Sequence, residues 1–223
     1  MNEINKLQAA LSAHIPWHGA RIKFLALFLV ALFRVRTVNL AELAGAFRNR
    51  AKAESNSKRL KRFFSQFEVN EDEIARVVVA LAGIPEPWTL SLDRTNWSFG
   101  TVHFNILMLG VVHEGIAFPL LWTMLDKQGN SNGSERMDLL DRFEKLFGHV
   151  KVDCLTADRE FIGQEWFSYL LLSRLPFRIR IRYSQLISSQ TGKTRLKGCD
   201  QFLALIPGQV KILSKKRWVL KRK

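Results

Sequence analysis

Two aspartates sit in distinctive local sequences, and almost no acid follows them. The first lies in Leu90-Ser91-Leu92-Asp93-Arg94-Thr95-Asn96-Trp97, the second in Leu155-Thr156-Ala157-Asp158-Arg159-Glu160-Phe161-Ile162-Gly163. After Glu165 the only acidic side chain is Asp200. Carboxylates and water are the ligands that Mg²⁺ prefers, and a two-metal site stabilises both the attacking and the leaving oxygen of a phosphodiester displacement. Asp93 is expected at the end of one strand and Asp158 directly after another. In a mixed sheet those strands can lie parallel and adjacent, so the two carboxylates would share a cation that offsets their repulsion. The plainer role for an aspartate just past a strand is a turn or a helix cap.

The elements that must position this pair are read from periodicity. The first eighty-odd residues predict helices. Asn39 with Glu42 and Asn70 with Glu73 are capping-box patterns, and Ser55 to Ser57 offer a further N-cap. Three apolar stripes at helical spacing follow these caps: Leu40, Leu43, Ala44 and Phe47; Leu60, Phe63, Phe64 and Phe67; Ile74, Val77, Val78 and Leu81. Gly83, Pro85 and Pro87 then stop helix formation. From Trp88 the period changes. Thr89 to Asp93, Val102 to Val112 and Ile116 to Leu125 predict strands, the last two joined by a hairpin turn at His113-Glu114-Gly115. A loop at Gly129 to Gly133 leads into a helix with Met137, Leu140, Phe143 and Phe147 on one face. Val150 to Ala157, Gln164 to Ser173 and Phe177 to Arg182 follow as strand, helix and strand. Hairpins followed by a strand–helix–strand unit imply a mixed sheet.

The net charge of +14 and a pI near 10 point to a polyanionic partner. Residues 174–223 hold 14 Lys and Arg against the single acid Asp200, so thirteen of the fourteen net charges lie there. A basic end is often only a disordered, soluble tail. Here apolar residues are interspersed throughout, and Phe177 to Arg182 alternates as a strand does. Cys154 and Cys199 show neither ligand spacing nor a disulfide framework, which suits a reducing cytoplasm. The apolar run Phe24 to Phe33 is too short to cross a bilayer and reads as a buried helix.

The segments Asp93 to Trp97 and Asp158 to Gly163 resemble the first two blocks of bacterial DDE transposases of the insertion-sequence-four family. The resemblance covers roughly residues 40 to 183. It implies a ribonuclease H-like catalytic core in which Asp93 and Asp158 are catalytic metal ligands for Mg²⁺ or Mn²⁺. The third block departs from the family. That block is a Tyr, two residues, Arg, three residues, Glu, six residues, Lys signature beyond a β-rich insertion. Tyr169 and Tyr183 are followed at the Arg offset by Leu172 and Leu186, and no Glu follows Glu165. Glu160 and Glu165 are the remaining candidates for a third ligand. They read better as part of the second block and as a solvated helix face.

Two basic groups are candidates for DNA contact. Lys58, Arg59, Lys61 and Arg62 share a helix with the Leu60, Phe63, Phe64, Phe67 stripe, and Arg48, Arg50 and Lys52 precede it. A basic helix face opposite a packed one suits phosphate contacts in a variant of the helix-turn-helix, or is simply a solvated face. Arg178, Arg180 and Arg182 line one side of the predicted strand 177–182, where DNA backbone or solvent can meet them. Lys215, Lys216, Arg217, Lys221, Arg222 and Lys223 extend the charge around Trp218, which stacks on a base or packs.

The expected architecture is α/β (α+β): a helical DNA-binding domain (1–86), a partial ribonuclease H-like mixed-sheet core (87–183), and the start of a basic β-rich insertion domain (184–223). The expected function is a transposase that cuts element ends and transfers strands with divalent metal. It would stop before its third carboxylate and so be inactive alone. The resemblance further implies double-stranded DNA (terminal repeats and target) as partner, a homodimer on DNA, and a bacterial, nucleoid-associated location. The alternative is a non-catalytic DNA-binding fragment, an inhibitor or a gene relic; a nuclease with a two-aspartate site is the third.

Overall fold

The computed structural model describes residues 3–214 and 216–220. It divides into two compact units, Met1–Gly83 and Ile84–Lys223. Among the described residues no single helix is long and apolar enough to cross a membrane. Lys215, Lys221, Arg222 and Lys223 of the basic end lie outside the described residues.

The first unit is helical: α1 (Glu3–Ser12), α2 (Gly19–Val35), α3 (Leu40–Ala46), α4 (Ala53–Gln66) and α5 (Glu71–Ala82). The apolar run expected to form a buried helix is α2, which buries Ile22, Phe24, Ala26, Leu27 and Ala31. Leu43, Ala44, Phe47, Leu60 and Val77 complete the core around it. Asn39 and Asn70 are the N-caps expected, but without the reciprocal bond of a capping box, and Glu73 instead accepts the Trp17 indole N–H at 2.8 Å. Asn39 accepts the Ala41 N–H at 2.9 Å, and Asn70 accepts those of Asp72 and Glu73.

The start of α4 differs from expectation. It begins at Ala53 after Lys52, with no side-chain cap, so Ser55 to Ser57 lie inside the helix. The cause is Asn56, only 1% exposed, whose amide turns inward to the Asn49 side chain and the Ala44 carbonyl. That polar tie anchors the first turn from the core side. The aromatic stripe of α4 is also less covered than expected: Phe64 is 54% exposed, and so is about half of Leu81 on α5.

The second unit is built on one mixed sheet. Its strands are β1 (Trp88–Phe99), β2 (Val102–His113), β3 (Ile116–Met124), β4 (Val152–Ala157) and β5 (Phe177–Ile179), in the order β3-β2-β1-β4-β5. Pairs β1–β2 and β2–β3 are antiparallel, while β1–β4 and β4–β5 are parallel. Helices α6 (Gly133–Phe147) and α7 (Gln164–Leu172) make the two crossovers. This is a mixed sheet of the α+β class, with two antiparallel pairs followed by two parallel ones. The β2–β3 turn has Glu114 and Gly115 both at positive φ (49° and 79°), the twist-matched hairpin geometry. Leu90, Leu107, Leu109, Val111, Leu120, Leu121 and Leu155 are fully buried, and Trp88 packs on Phe143 and Phe147 of α6.

Two strand lengths are corrected. β1 does not end at Asp93 but continues to Phe99, because β2 pairs with it all the way to Phe99↔Val102. β5 stops at Ile179 instead of reaching Arg182, because its neighbour β4 ends at Ala157 and leaves no further ladder. Beyond it, β6 (Leu186–Ser188) and β7 (Arg195–Lys197) form a small hairpin, which Val219 joins by a bridge to Ile187. The turn expected at Pro207-Gly208 is present: the Gln209 N–H donates to the Ile206 carbonyl, and Gly208 supplies φ +90°.

Candidate active site

Side chains alternate along β1. Trp88, Leu90 and Leu92 are buried on one face, while Thr89 and Ser91 are half-buried on the other and lead to an exposed Asp93. The parallel register with β4 runs Leu90↔Leu155, Ser91↔Thr156 and Leu92↔Ala157. Asp93 and Asp158 are the next residues of the two segments, Asp93 still within β1 and Asp158 just past the end of β4. The Thr156 hydroxyl donates to the Leu90 carbonyl at 2.9 Å and ties the strands together just before the pair.

Among the described residues each carboxylate has one partner. Asp93 Oδ1 accepts the Arg94 N–H at 2.8 Å. Asp158 Oδ1 lies 3.8 Å from Arg180 Nη1, an ion pair whose side chains are 52% and 83% exposed. A cleft of about 500 Å³ opens beside Asp158, lined by Asp158, Arg159, Glu160, Arg182, Tyr183 and Ser184.

The neighbouring acid, Glu160, is held elsewhere. Arg94 donates to both its oxygens, Nε to Oε1 at 2.9 Å and Nη2 to Oε2 at 3.1 Å. The pair is 12% and 24% exposed. Arg94 follows Leu92 on the covered face of β1, so it draws Glu160 to the side away from Asp93. Arg94 also donates to the side-chain carbonyls of Asn105 and Asn130. Asn105, 5% exposed on β2, in turn donates to the carbonyls of Lys127 and Gly129. A second arginine supports the same segment from α6. Arg136, 4% exposed, donates to Ser131 and to the Glu160 carbonyl, and lies over the Phe161 ring at 5.1 Å. Burial pulls its guanidinium below the usual value, and the carboxylates of Glu160 and Glu135 oppose that.

Sequence reasoning did not assign these supports. Arg136 did leave a signal, since it precedes Leu140, Phe143 and Phe147 at i+4, i+7 and i+11 of a buried stripe. A charged residue at a core position of a helix calls for a buried partner.

Glu165 is exposed in the first turn of α7. Among the described residues no group of three or more His, Cys, Asp or Glu is gathered closely enough to hold a metal ion. Carboxylates such as those of Asp93 and Asp158 are of the kind Mg²⁺ takes, since it is often held by one or two protein carboxylates with water and substrate phosphate completing its octahedron. The cation now beside Asp158 is the Arg180 guanidinium.

The basic candidates resolve differently from a continuous row. Arg178 lies in β5 with Nη2 3.7 Å from Asp153 Oδ2, Arg180 faces Asp158, and Arg182 lines the cleft. Lys58, Arg59, Lys61 and Arg62 are all exposed on α4, around the fully buried Leu60. Trp218 is 43% exposed, with its N–H bonded to Ser188 Oγ.

No family profile matches the chain, and no curated protein matches it. Among solved structures it is similar to the HTLV-2 integrase catalytic core domain in complex with magnesium, in its dimeric form. The identity is 12% and the TM-score 0.33, over 42% of this chain and 60% of that one.

Proposed function

We propose that this chain belongs to the DDE transposase kind, of the insertion-sequence-four type, and acts on double-stranded DNA with Mg²⁺ or Mn²⁺. The observation that supports the reading is the register of β1 and β4, whose last pair, Leu92↔Ala157, directly precedes Asp93 and Asp158, the exposed acids of the two resembling blocks. A divalent cation bound there would supply an activated water and neutralise phosphate charge at the scissile bond. Asp93 and Asp158 would hold it, with Arg180 leaving Asp158 as the cation arrives. Arg94, Asn105 and Arg136 would fix the segment after β4 so that Asp158 keeps its position. Arg182 and the released Arg180 are placed to meet the DNA backbone, and a homodimer on paired DNA ends in the bacterial nucleoid belongs to the same reading.

A second reading has its own observation. With Glu160 bound by Arg94, no third carboxylate stands with the pair among the described residues, which favours a DNA-binding role without catalysis, as an inhibitor or a relic. Nicking of supercoiled DNA in Mn²⁺ separates the two. Cleavage abolished by Asp93→Ala and by Asp158→Ala supports the catalytic reading. Duplex binding without cleavage supports the second, and neither binding nor cleavage refutes both.

A further inference from the structure

The four basic residues of α4 are not one surface. Arg59, Arg62 and Gln66 follow each other at i, i+3 and i+7, and all three line a cleft of about 440 Å³ between α4 and the start of α2. Lys58 and Lys61 do not line it. Arg21 of α2 does, and it belonged to no basic motif in the sequence.

Two of the three arginines are set by aromatic rings. Arg21 Cζ lies 4.5 Å over the Phe67 ring centroid, and Arg59 Cζ lies 5.0 Å over that of Phe24. A guanidinium held over a ring face rather than by a carboxylate keeps its fork of N–H donors for another partner, and that fork matches the oxygens of a phosphate. No carboxylate lines the cleft. Among the described residues none forms an ion pair with Arg21, Arg59 or Arg62. Three like charges around one cleft repel each other, and an anion between them reverses the sign of that term.

We infer that Arg21, Arg59 and Arg62 form one phosphate clamp that seats a single backbone phosphodiester of duplex DNA, with Lys58 and Lys61 outside it. The inference rests on the DNA partner proposed above and adds Arg21 to it. A backbone clamp carries no sequence information, so its loss weakens binding equally on any duplex.

The test is the salt dependence of duplex binding by the full chain, measured by fluorescence anisotropy on two unrelated duplexes. Arg21→Ala and Arg62→Ala each weaken binding to both. Because all three arginines serve the same phosphate, the triple variant Arg21→Ala, Arg59→Ala, Arg62→Ala lowers the slope of log K against log salt by about 0.9 in total, the effect of one phosphate. Lys23→Ala, an equal charge loss about 200° around α2 from Arg21, serves as control. The clamp is overturned if Arg21→Ala binds like the unmodified chain or no worse than Lys23→Ala. It is also overturned if the triple variant loses about 1.8 or more from the slope, the mark of at least two separate phosphates. In those cases the DNA reading stands. If the unmodified chain binds no duplex at any salt, both fall.

Discussion

Glu160 decides whether the two-aspartate site is supported or completed by its neighbour. If Arg94 holds it as a strut, Arg94→Met is costly. It strips the cation from a carboxylate that is only 24% exposed and leaves the Asn105 side-chain carbonyl, in a residue 5% exposed, without its donor. Removing one side of a fully buried pair costs ~3–5 kcal/mol. At this partial exposure water compensates some of that, leaving ~2 kcal/mol, and the orphaned acceptor adds ~1 kcal/mol. A loss of ~3 kcal/mol lowers the melting temperature of a chain this size by about 6–12 °C. Glu160→Gln keeps an acceptor for Arg94 and costs ~1 kcal/mol. The Arg94→Met, Glu160→Gln cycle should return a coupling of about 1 kcal/mol, as contacting residues do.

The assay pairs urea denaturation of these variants with Mn²⁺ binding by calorimetry. A strut predicts that Glu160→Gln lowers stability and leaves Mn²⁺ affinity where it was, whereas Asp93→Asn removes the affinity. The opposite pattern, affinity lost with stability unmoved, would mean that Glu160 turns to the metal as a third ligand. Arg94 would then be no strut.

Other consequences are simpler to read. Asp93→Asn and Asp158→Asn should each abolish the rise in melting temperature that Mn²⁺ gives the unmodified chain. As exposed substitutions they should change metal-free stability by no more than ~0.5 kcal/mol, so a metal-induced shift surviving in either variant removes it from the site. Gly110→Ala places a Cβ 2.8 Å from the Phe118 carbonyl oxygen across the β2–β3 ladder, and a loss of ~1–3 kcal/mol in chemical denaturation is expected. Desolvation acts to raise Glu135, but Lys127 at 2.7 Å and the Asn132 N–H outweigh it and hold the carboxyl below its ordinary value of 4.5. A lowered carboxyl contributes stability that is complete above the ordinary value and is lost as pH falls through the lowered one. The gap between the unmodified chain and Glu135→Gln should therefore close on acidification; a constant gap refutes the ion pair as its source. Burial first, and then the 2.5 Å bond to Asp141, hold the Tyr169 hydroxyl above its ordinary value of 10. That contribution is whole below pH 10 and fades as pH rises beyond it, so Tyr169→Phe should flatten the alkaline loss of stability seen by circular dichroism.

What the sequence made legible was local or periodic. Asn39 and Asn70 announced their helices, the apolar stripes announced buried faces, and Glu114-Gly115 announced a hairpin. The parallel neighbourhood of β1 and β4 followed from the order of hairpins and crossovers. What stayed hidden was set by partners far along the chain. Arg94 and Glu160 are 66 positions apart, and neither block hinted that they bind each other. The residues from Arg94 to Ser98 lay beyond the expected strand, and it is pairing with β2 that makes them strand. The start of α4 depended on Asn56 meeting Asn49, a contact no propensity scale contains.

The longer β1 changes how the site arises. Had the strand ended at Asp93, as its alternation suggested, both carboxylates would crown two equal strand ends. Instead β2 carries β1 onward while β4 stops at Ala157, so beyond Leu92 one edge of β1 is left without a strand beside it. The gap opens where β1 has an antiparallel neighbour on one side and a parallel one on the other, just past the carboxyl end of β4. In open sheets such a switch of direction is where a crevice forms and ligands bind. Asp93 flanks that gap in mid-strand and Asp158 is the first residue beyond its floor. On the proposed reading, the inequality of the two strands, more than either motif, would open a place where a small cation and a phosphate approach both acids at once.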